Sequence, residues 1–190
     1  GTIEHITRHQ VVNDWGGYNW VIPQVKHVYK GLTEGKTFEV RISGTLEALY
    51  TPEVDKSGIV EVVQWGNTGL KSISRAFQNN TSIKYLPADN LRSFADLVEL
   101  YEAFNGCASL ETIPEDLFKY CTKVTDFSGV FRRCSNLMSI PGKLFANCTE
   151  ADSFVGCFEN CSSLETVPDN LFANCTKVTN FASCFCECTN

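Results

Sequence analysis

Residues 161–188 read CSSLETVPDNLFANCTKVTNFASCFCEC, residues 134–161 read CSNLMSIPGKLFANCTEADSFVGCFENC, and residues 107–134 read CASLETIPEDLFKYCTKVTDFSGVFRRC. Laid over one another without a gap, the three share Cys, Leu, Pro, Leu-Phe, Cys and two further Phe positions, with a period of 27 residues. Phe77, Phe104, Phe131, Phe158 and Phe185 recur at that spacing, as do Cys107, Cys134, Cys161 and Cys188. Pro87, Pro114, Pro141 and Pro168 keep the same step, and so do the sets Cys121, Cys148, Cys175; Phe118, Phe145, Phe172; and Phe127, Phe154, Phe181. Self-similarity at a fixed period is the signature of a repeat architecture in which each unit stacks on the next.

The two halves of a unit echo each other, but each is too short to carry its own helix and strand of ordinary length, so the whole unit is one coil. One short strand is expected around 110–113, 137–140 and 164–167. The proline that follows lacks an N–H and has a fixed φ, which suits the end of a strand and the first position of a short helix such as 168–175. The second half, 178–185, is expected to return along the opposite side through an extended piece and another helical turn. Burial of one unit's apolar side chains falls short of the entropy lost in ordering its backbone, so stability has to come from the interfaces between coils. The fold class expected is therefore an α/β solenoid of leucine-rich-repeat-like coils, with short parallel strands and short helices, preceded by a small mostly-β module.

Toward the N-terminus the pattern decays in register. Leu70, Ile73 and Phe77 match Leu97, Leu100 and Phe104, while Asn80 stands in the column of Cys107. The run 59–65 opens an atypical first coil, a cap near 58–69 on a solenoid spanning 58–190. Residues 1–57 share no register and hold all three His and two of the three Trp. Alternation over 37–43 argues a half-buried strand, and Asp14-Trp15-Gly16-Gly17 a turn. The module is expected to pack on the start of the solenoid through Leu46, Leu49 and Tyr50. At the other end the repeats stop without a polar terminal unit, so more chain or another chain is expected at that edge. Gly1 reads as an expression scar, with any export signal cut away before it.

With a formal net charge of −6 and no run of Lys or Arg, the chain lacks the electrostatic footprint of a nucleic-acid or anionic-membrane binder. No stretch approaches a membrane-spanning length of apolar residues. Seven of the ten Cys fall in the two repeat columns, where neighbouring side chains run parallel and lack disulfide geometry. Free, buried thiols acting as small apolar fillers are the expectation. The cluster Cys184, Cys186, Cys188 has no His or second Cys pair nearby to complete a zinc set, so no metal and no cofactor is expected. No His occurs after His27, which leaves the repeats without a Ser–His or Cys–His pair. His5, His9 and His27 read as solvated or packing residues of the β module. Glu115, Asp116, Glu165 and Asp169 sit where acidic residues complement helix starts. The sequons at Asn147, Asn160 and Asn174 arise from the repeat itself.

Val63-Gln64-Trp65-Gly66-Asn67-Thr68, then Leu70, Ile73, Ala76 and Phe77, then repeats of the form CSSLETVPDNLFANCTKVTNF, together resemble the BspA-like, mycoplasma-lipoprotein-type repeat family over about residues 44–190. The resemblance implies a leucine-rich-repeat-like surface or secreted protein of Bacteroides-type bacteria, often lipid-anchored, with adhesion to host proteins among the roles suggested for relatives. In many relatives a PKD-like module with the turn Asp-Trp-Gly-Asp-Gly precedes the repeats; here Asp14-Trp15-Gly16-Gly17 departs from it, as a truncated or divergent module would.

A non-enzymatic binding protein is the first expectation. Outward strand residues Ser109, Glu111, Asn136, Met138, Ser163 and Glu165 vary from coil to coil and offer a surface for a host or bacterial protein or glycan. The alternative is structural: a spacer, or a rod that self-associates edge to edge. An enzyme comes third and rests wholly on the β module.

Overall fold

The computed structural model describes residues 45–49 and 59–189. The chain divides into two compact units, Gly1–Ile42 and Ser43–Asn190. That division falls ahead of the 57/58 boundary expected from the loss of register, because residues 45–49 pair with the repeats. The strand over 37–43, the turn at 14–17, Tyr50 and the three His lie outside the described residues.

Neighbouring 27-residue segments lie side by side, joined by parallel bridges of two kinds. The first ladder contains the bridges Tyr85 to Thr112 and Ser139 to Thr166. The second contains Ala48 to Ser72, Ser72 to Glu99, Asp126 to Ser153 and Ser153 to Asn180. Each segment thus enters two ladders about half a period apart, where one strand per coil was expected. The second ladder takes in 45–49: Leu46 N–H donates to Thr68 O at 2.9 Å and Leu49 N–H to Ser72 O at 3.0 Å.

The short helices expected after each proline are not formed: among the described residues there is no α-helix, and 115–120, 142–147 and 169–174 are runs of turns. Their bonds close three residues back and at every second residue, as in Leu171 to Pro168 O at 3.1 Å, Ala173 to Asn170 O at 3.1 Å and Cys175 to Phe172 O at 3.0 Å. In the second half of each coil, where another helical turn was expected, 74–79, 101–106, 128–133, 155–160 and 182–187 are turns as well. Positions 75, 102, 129, 156 and 183 all have positive φ, and so do 79, 106, 133, 160 and 187. A left-handed residue breaks a continuous right-handed helix and turns alternate peptide groups outward. Every second N–H then leaves the turn for the next segment: Phe127 to Ser153 O at 2.9 Å, Gly129 to Val155 O at 2.9 Å, Phe131 to Cys157 O at 2.9 Å and Arg133 to Glu159 O at 2.7 Å. The backbone's hydrogen-bonding capacity is divided between local turns and the neighbouring coil, which couples coils more tightly than helices packed by side chains alone.

The interior follows the columns of the repeat. Phe77, Phe104, Phe131, Phe158 and Phe185 stack with ring centroids 5.4, 5.6, 5.5 and 5.5 Å apart. Phe127, Phe154 and Phe181 stack at 5.2 and 5.7 Å. The third column, Phe118, Phe145 and Phe172, meets the second edge to face, as in Phe145 against Phe154 at 4.8 Å and 67°. Both arrangements are favoured by the ring quadrupole. Trp65 begins the core, edge-on to Phe77 at 5.9 Å and tilted on Phe94 at 5.0 Å, with its indole N–H donating to Pro87 O at 2.7 Å.

Thiols of the main Cys column each point at a phenylalanine carbonyl of the preceding coil: Cys107 to Phe77 O at 3.2 Å, Cys134 to Phe104 O at 3.4 Å, Cys161 to Phe131 O at 3.2 Å and Cys188 to Phe158 O at 3.1 Å. Asn80, which stands in this column at the N-terminal side, donates its carboxamide N–H to Ile59 O at 2.9 Å. Its oxygen accepts from Ser82 N and Ile83 N, both at 2.9 Å.

Candidate functional site

The first ladder brings the six outward residues into two rows. Glu111 N–H donates to Lys84 O at 3.0 Å, Met138 N–H to Glu111 O at 3.4 Å and Glu165 N–H to Met138 O at 3.2 Å, so 84, 111, 138 and 165 form one row. Asn136 N–H to Ala108 O and Ser163 N–H to Ser135 O, both at 3.2 Å, hold the row of Ser109, Asn136 and Ser163 beside it. Asn136, Met138 and Glu165 are exposed, while Ser109, Glu111 and Ser163 are half-buried. Because backbone bonds fix the spacing, the rows form a preset surface rather than a loop that must be ordered on binding.

The rows differ in how far their side chains are already engaged. Ser109 Oγ donates to Thr81 O at 2.6 Å. Glu111 accepts the Tyr85 hydroxyl at 2.8 Å and lies 3.4 Å from Lys84 Nζ. The Tyr85 hydrogen bond and the nearby ammonium hold the Glu111 carboxyl below its ordinary range, and the same carboxylate raises Tyr85. Met138, 47 % exposed, has none of these ties and is the large apolar side chain of the surface.

Tyr85 and Lys84 belong to this surface and were missed. Tyr85 is 56 % exposed, an aromatic body with a polar tip of the kind enriched where proteins meet ligands. The signal was present, since Lys84 precedes Glu111 by one period and Tyr85 precedes Thr112 by one.

The second ladder carries a different chemistry. Ser72 Oγ, Asp126 Oδ1 and Asn180 Oδ1 accept from the backbone N–H two residues on, at 3.3, 2.8 and 3.0 Å, so this column caps the turns that follow. Ion pairs between segments flank it: Lys71 with Glu47 at 2.8 Å, Lys123 with Asp96 at 2.6 Å and Lys177 with Glu150 at 2.6 Å. All are exposed and contribute little each. Arg75 donates to Glu102 at 3.0 Å and its guanidinium lies over the Tyr101 ring at 5.2 Å.

Nucleophilic chemistry has poor support in the described residues, which contain no histidine. Burial pushes the thiols up: Cys161 and Cys184 to about 12, Cys175 to about 11, and Cys121, Cys134 and Cys157 well above their ordinary value. A thiolate is the nucleophilic and metal-binding form, so these groups are poor at both tasks near neutral pH. Cys186 is the exposed one.

The sequon asparagines also have structural work. Asn147 donates through its carboxamide to Lys119 O at 2.9 Å and Asn174 to Ala146 O at 2.8 Å, a second side-chain ladder between coils. Among the described residues no helix is long and apolar enough to cross a membrane. No protein-family model and no curated protein matches the chain.

Proposed function

We propose that the chain is a leucine-rich-repeat-like solenoid that works as a non-enzymatic binding protein, recognising a protein or glycan of a host or bacterial surface through its first ladder. One observation carries the reading: Ser109, Glu111, Asn136, Met138, Ser163 and Glu165 share a backbone-fixed surface whose middle coil, Asn136 and Met138, differs from the Ser and Glu on either side, while the inward Phe, Leu and Cys columns stay constant. Tyr85 and Lys84 extend that surface by one more coil. The resemblance to BspA-like proteins supports a cell-surface or secreted location, with lipid anchoring as in relatives. High thiol pKa values and the lack of histidine across the described repeats support a role without catalysis.

The test is an array of glycans and host-surface proteins probed with the native chain and with the triple variant Asn136→Ala, Met138→Ala, Glu165→Ala. Those side chains are exposed, so the variant keeps its fold while its array signal falls about tenfold or more, the range of a small cluster of contact residues. An unchanged signal excludes this surface as the binding site.

A structural role as a spacer or self-associating rod is the second reading. Light scattering at high concentration distinguishes the two, since a strict monomer speaks against rod assembly.

A further inference from the structure

Tyr85, Thr112, Ser139 and Thr166 recur one period apart and form a third outward row on the first ladder, joined by the bridges Tyr85 to Thr112 and Ser139 to Thr166. All four are exposed. Among the described residues nothing engages the hydroxyls of Thr112, Ser139 and Thr166, and each can donate one hydrogen bond and accept two. The row is an aromatic ring followed by small hydroxyls, one per coil, at the ladder spacing of about 5 Å.

Tyr85 is held in place before any ligand arrives. Its hydroxyl donates to Glu111 Oε2 at 2.8 Å, and Lys84 Nζ lies 3.4 Å from Glu111 Oε1. A ring fixed at its tip, with 56 % of its surface in water, loses little rotamer entropy when it takes up a flat partner. The Lys84 ammonium has three donors, so it has hydrogen-bonding capacity beyond Glu111 beside that ring.

Charge and apolar area select the class of ligand. Lys84 and Glu111 compensate each other, which leaves Glu165 as the uncompensated charge of the three rows. A ligand carrying sulfate, phosphate or carboxylate groups therefore meets no spare cation on this surface. Tyr85 and Met138 are two coil steps apart, about 10 Å, with Glu111 and Thr112 between them. They do not merge into the continuous desolvated centre on which protein interfaces depend. A partner with flat apolar faces and many hydroxyls suits what remains, and that is the chemistry of an uncharged sugar chain. One pyranose ring of an extended chain is close in length to the coil step, so consecutive sugars meet consecutive coils.

We propose that the first ladder binds an uncharged, extended oligosaccharide laid along the stack, with one sugar ring on Tyr85 and the hydroxyls of the next rings exchanging hydrogen bonds with Lys84, Glu111, Thr112 and Ser139. The inference rests on the first ladder being the binding surface and names the ligand class that this surface takes.

The probes are linear oligosaccharides of glucose, mannose, xylose and N-acetylglucosamine, with a sulfated glucan oligosaccharide as the acidic control. Each is titrated into the 190-residue chain while NMR follows the Tyr85 ring and the Thr112 and Ser139 amides. At least one uncharged probe is expected to shift all three, and Tyr85→Ala to weaken its binding by about tenfold or more, as loss of a contact aromatic does. Tyr85→Phe keeps the ring and loses only the hydroxyl tie, so it is expected to weaken binding by a smaller factor. Ring contacts among Phe104, Phe131 and Phe158 report that both variants stay folded. The proposal is overturned if no uncharged probe shifts these signals, if the sulfated probe binds and the uncharged ones do not, or if Tyr85→Ala binds as tightly as the native chain. Equal weakening in the two variants also overturns it, since the ring then contributes nothing. A surface protein that binds the native chain and is lost in the triple variant, with no uncharged probe bound, overturns this inference while leaving the first ladder as the binding surface.

Discussion

Phe131 and Phe181 are the same residue type in the same repeat, yet their environments assign them different weights. Phe131 is fully buried between Phe104 and Phe158, so Phe131→Ala is expected to cost about 3–5 kcal/mol in urea denaturation. Phe181→Ala, with 45 % of its surface already in water, is expected to cost well under half as much. Thiol reactivity sorts the same way. Alkylation of the native chain at neutral pH is expected to label Cys186 first and Cys188 more slowly, leaving the eight buried thiols until the chain unfolds, as mass spectrometry of peptides reads directly. The stacking of phenylalanines was legible in the sequence, because identical residues at one spacing occupy equivalent sites whatever the local conformation. The partners of the thiols were not legible. Each is a backbone carbonyl 30 residues earlier, which no side-chain pattern encodes.

At the scale of the element, the expected helices give way to turns, and in the second half of each coil alternate N–H groups serve the neighbouring coil. Gly129 has φ +64°, and a Cβ there would meet Glu102 Cγ at 3.0 Å. Gly129→Ala is expected to destabilise by about 1–2 kcal/mol, the cost of a left-handed alanine, measured as a lower urea midpoint with an unchanged slope. Sequence reading could not foresee these turns, since the left-handed columns hold Arg75, Glu102, Ser183, Asn79, Arg133 and Glu187 as well as glycine. The surface beside the first ladder was partly legible: six residues were placed by register, while Tyr85 and Lys84 went unnoticed one coil earlier. Their contact with Glu111 makes a prediction about acid. Because the folded carboxyl is held low, its contribution is present above the ordinary glutamate value of about 4.3 and is lost as pH falls through the depressed value. Carboxyl NMR is expected to give a Glu111 midpoint below the ordinary one in the native chain, and one moved upward in Tyr85→Phe.

Across the whole molecule, local turns and inter-coil bonds make each coil depend on its neighbours, and function is read from what the stack leaves outside. The first ladder offers a surface whose spacing the backbone fixes. That reading requires the segments to translate regularly, one onto the next. A high-resolution crystal structure tests that requirement most directly, through the ring spacings in the main phenylalanine column. The account predicts Phe104, Phe131 and Phe158 stacked near-parallel with centroids 5.6 and 5.5 Å apart, and Phe131 N–H bonded to Cys157 O. Rings in unrelated environments, with no common step between them, would contradict it.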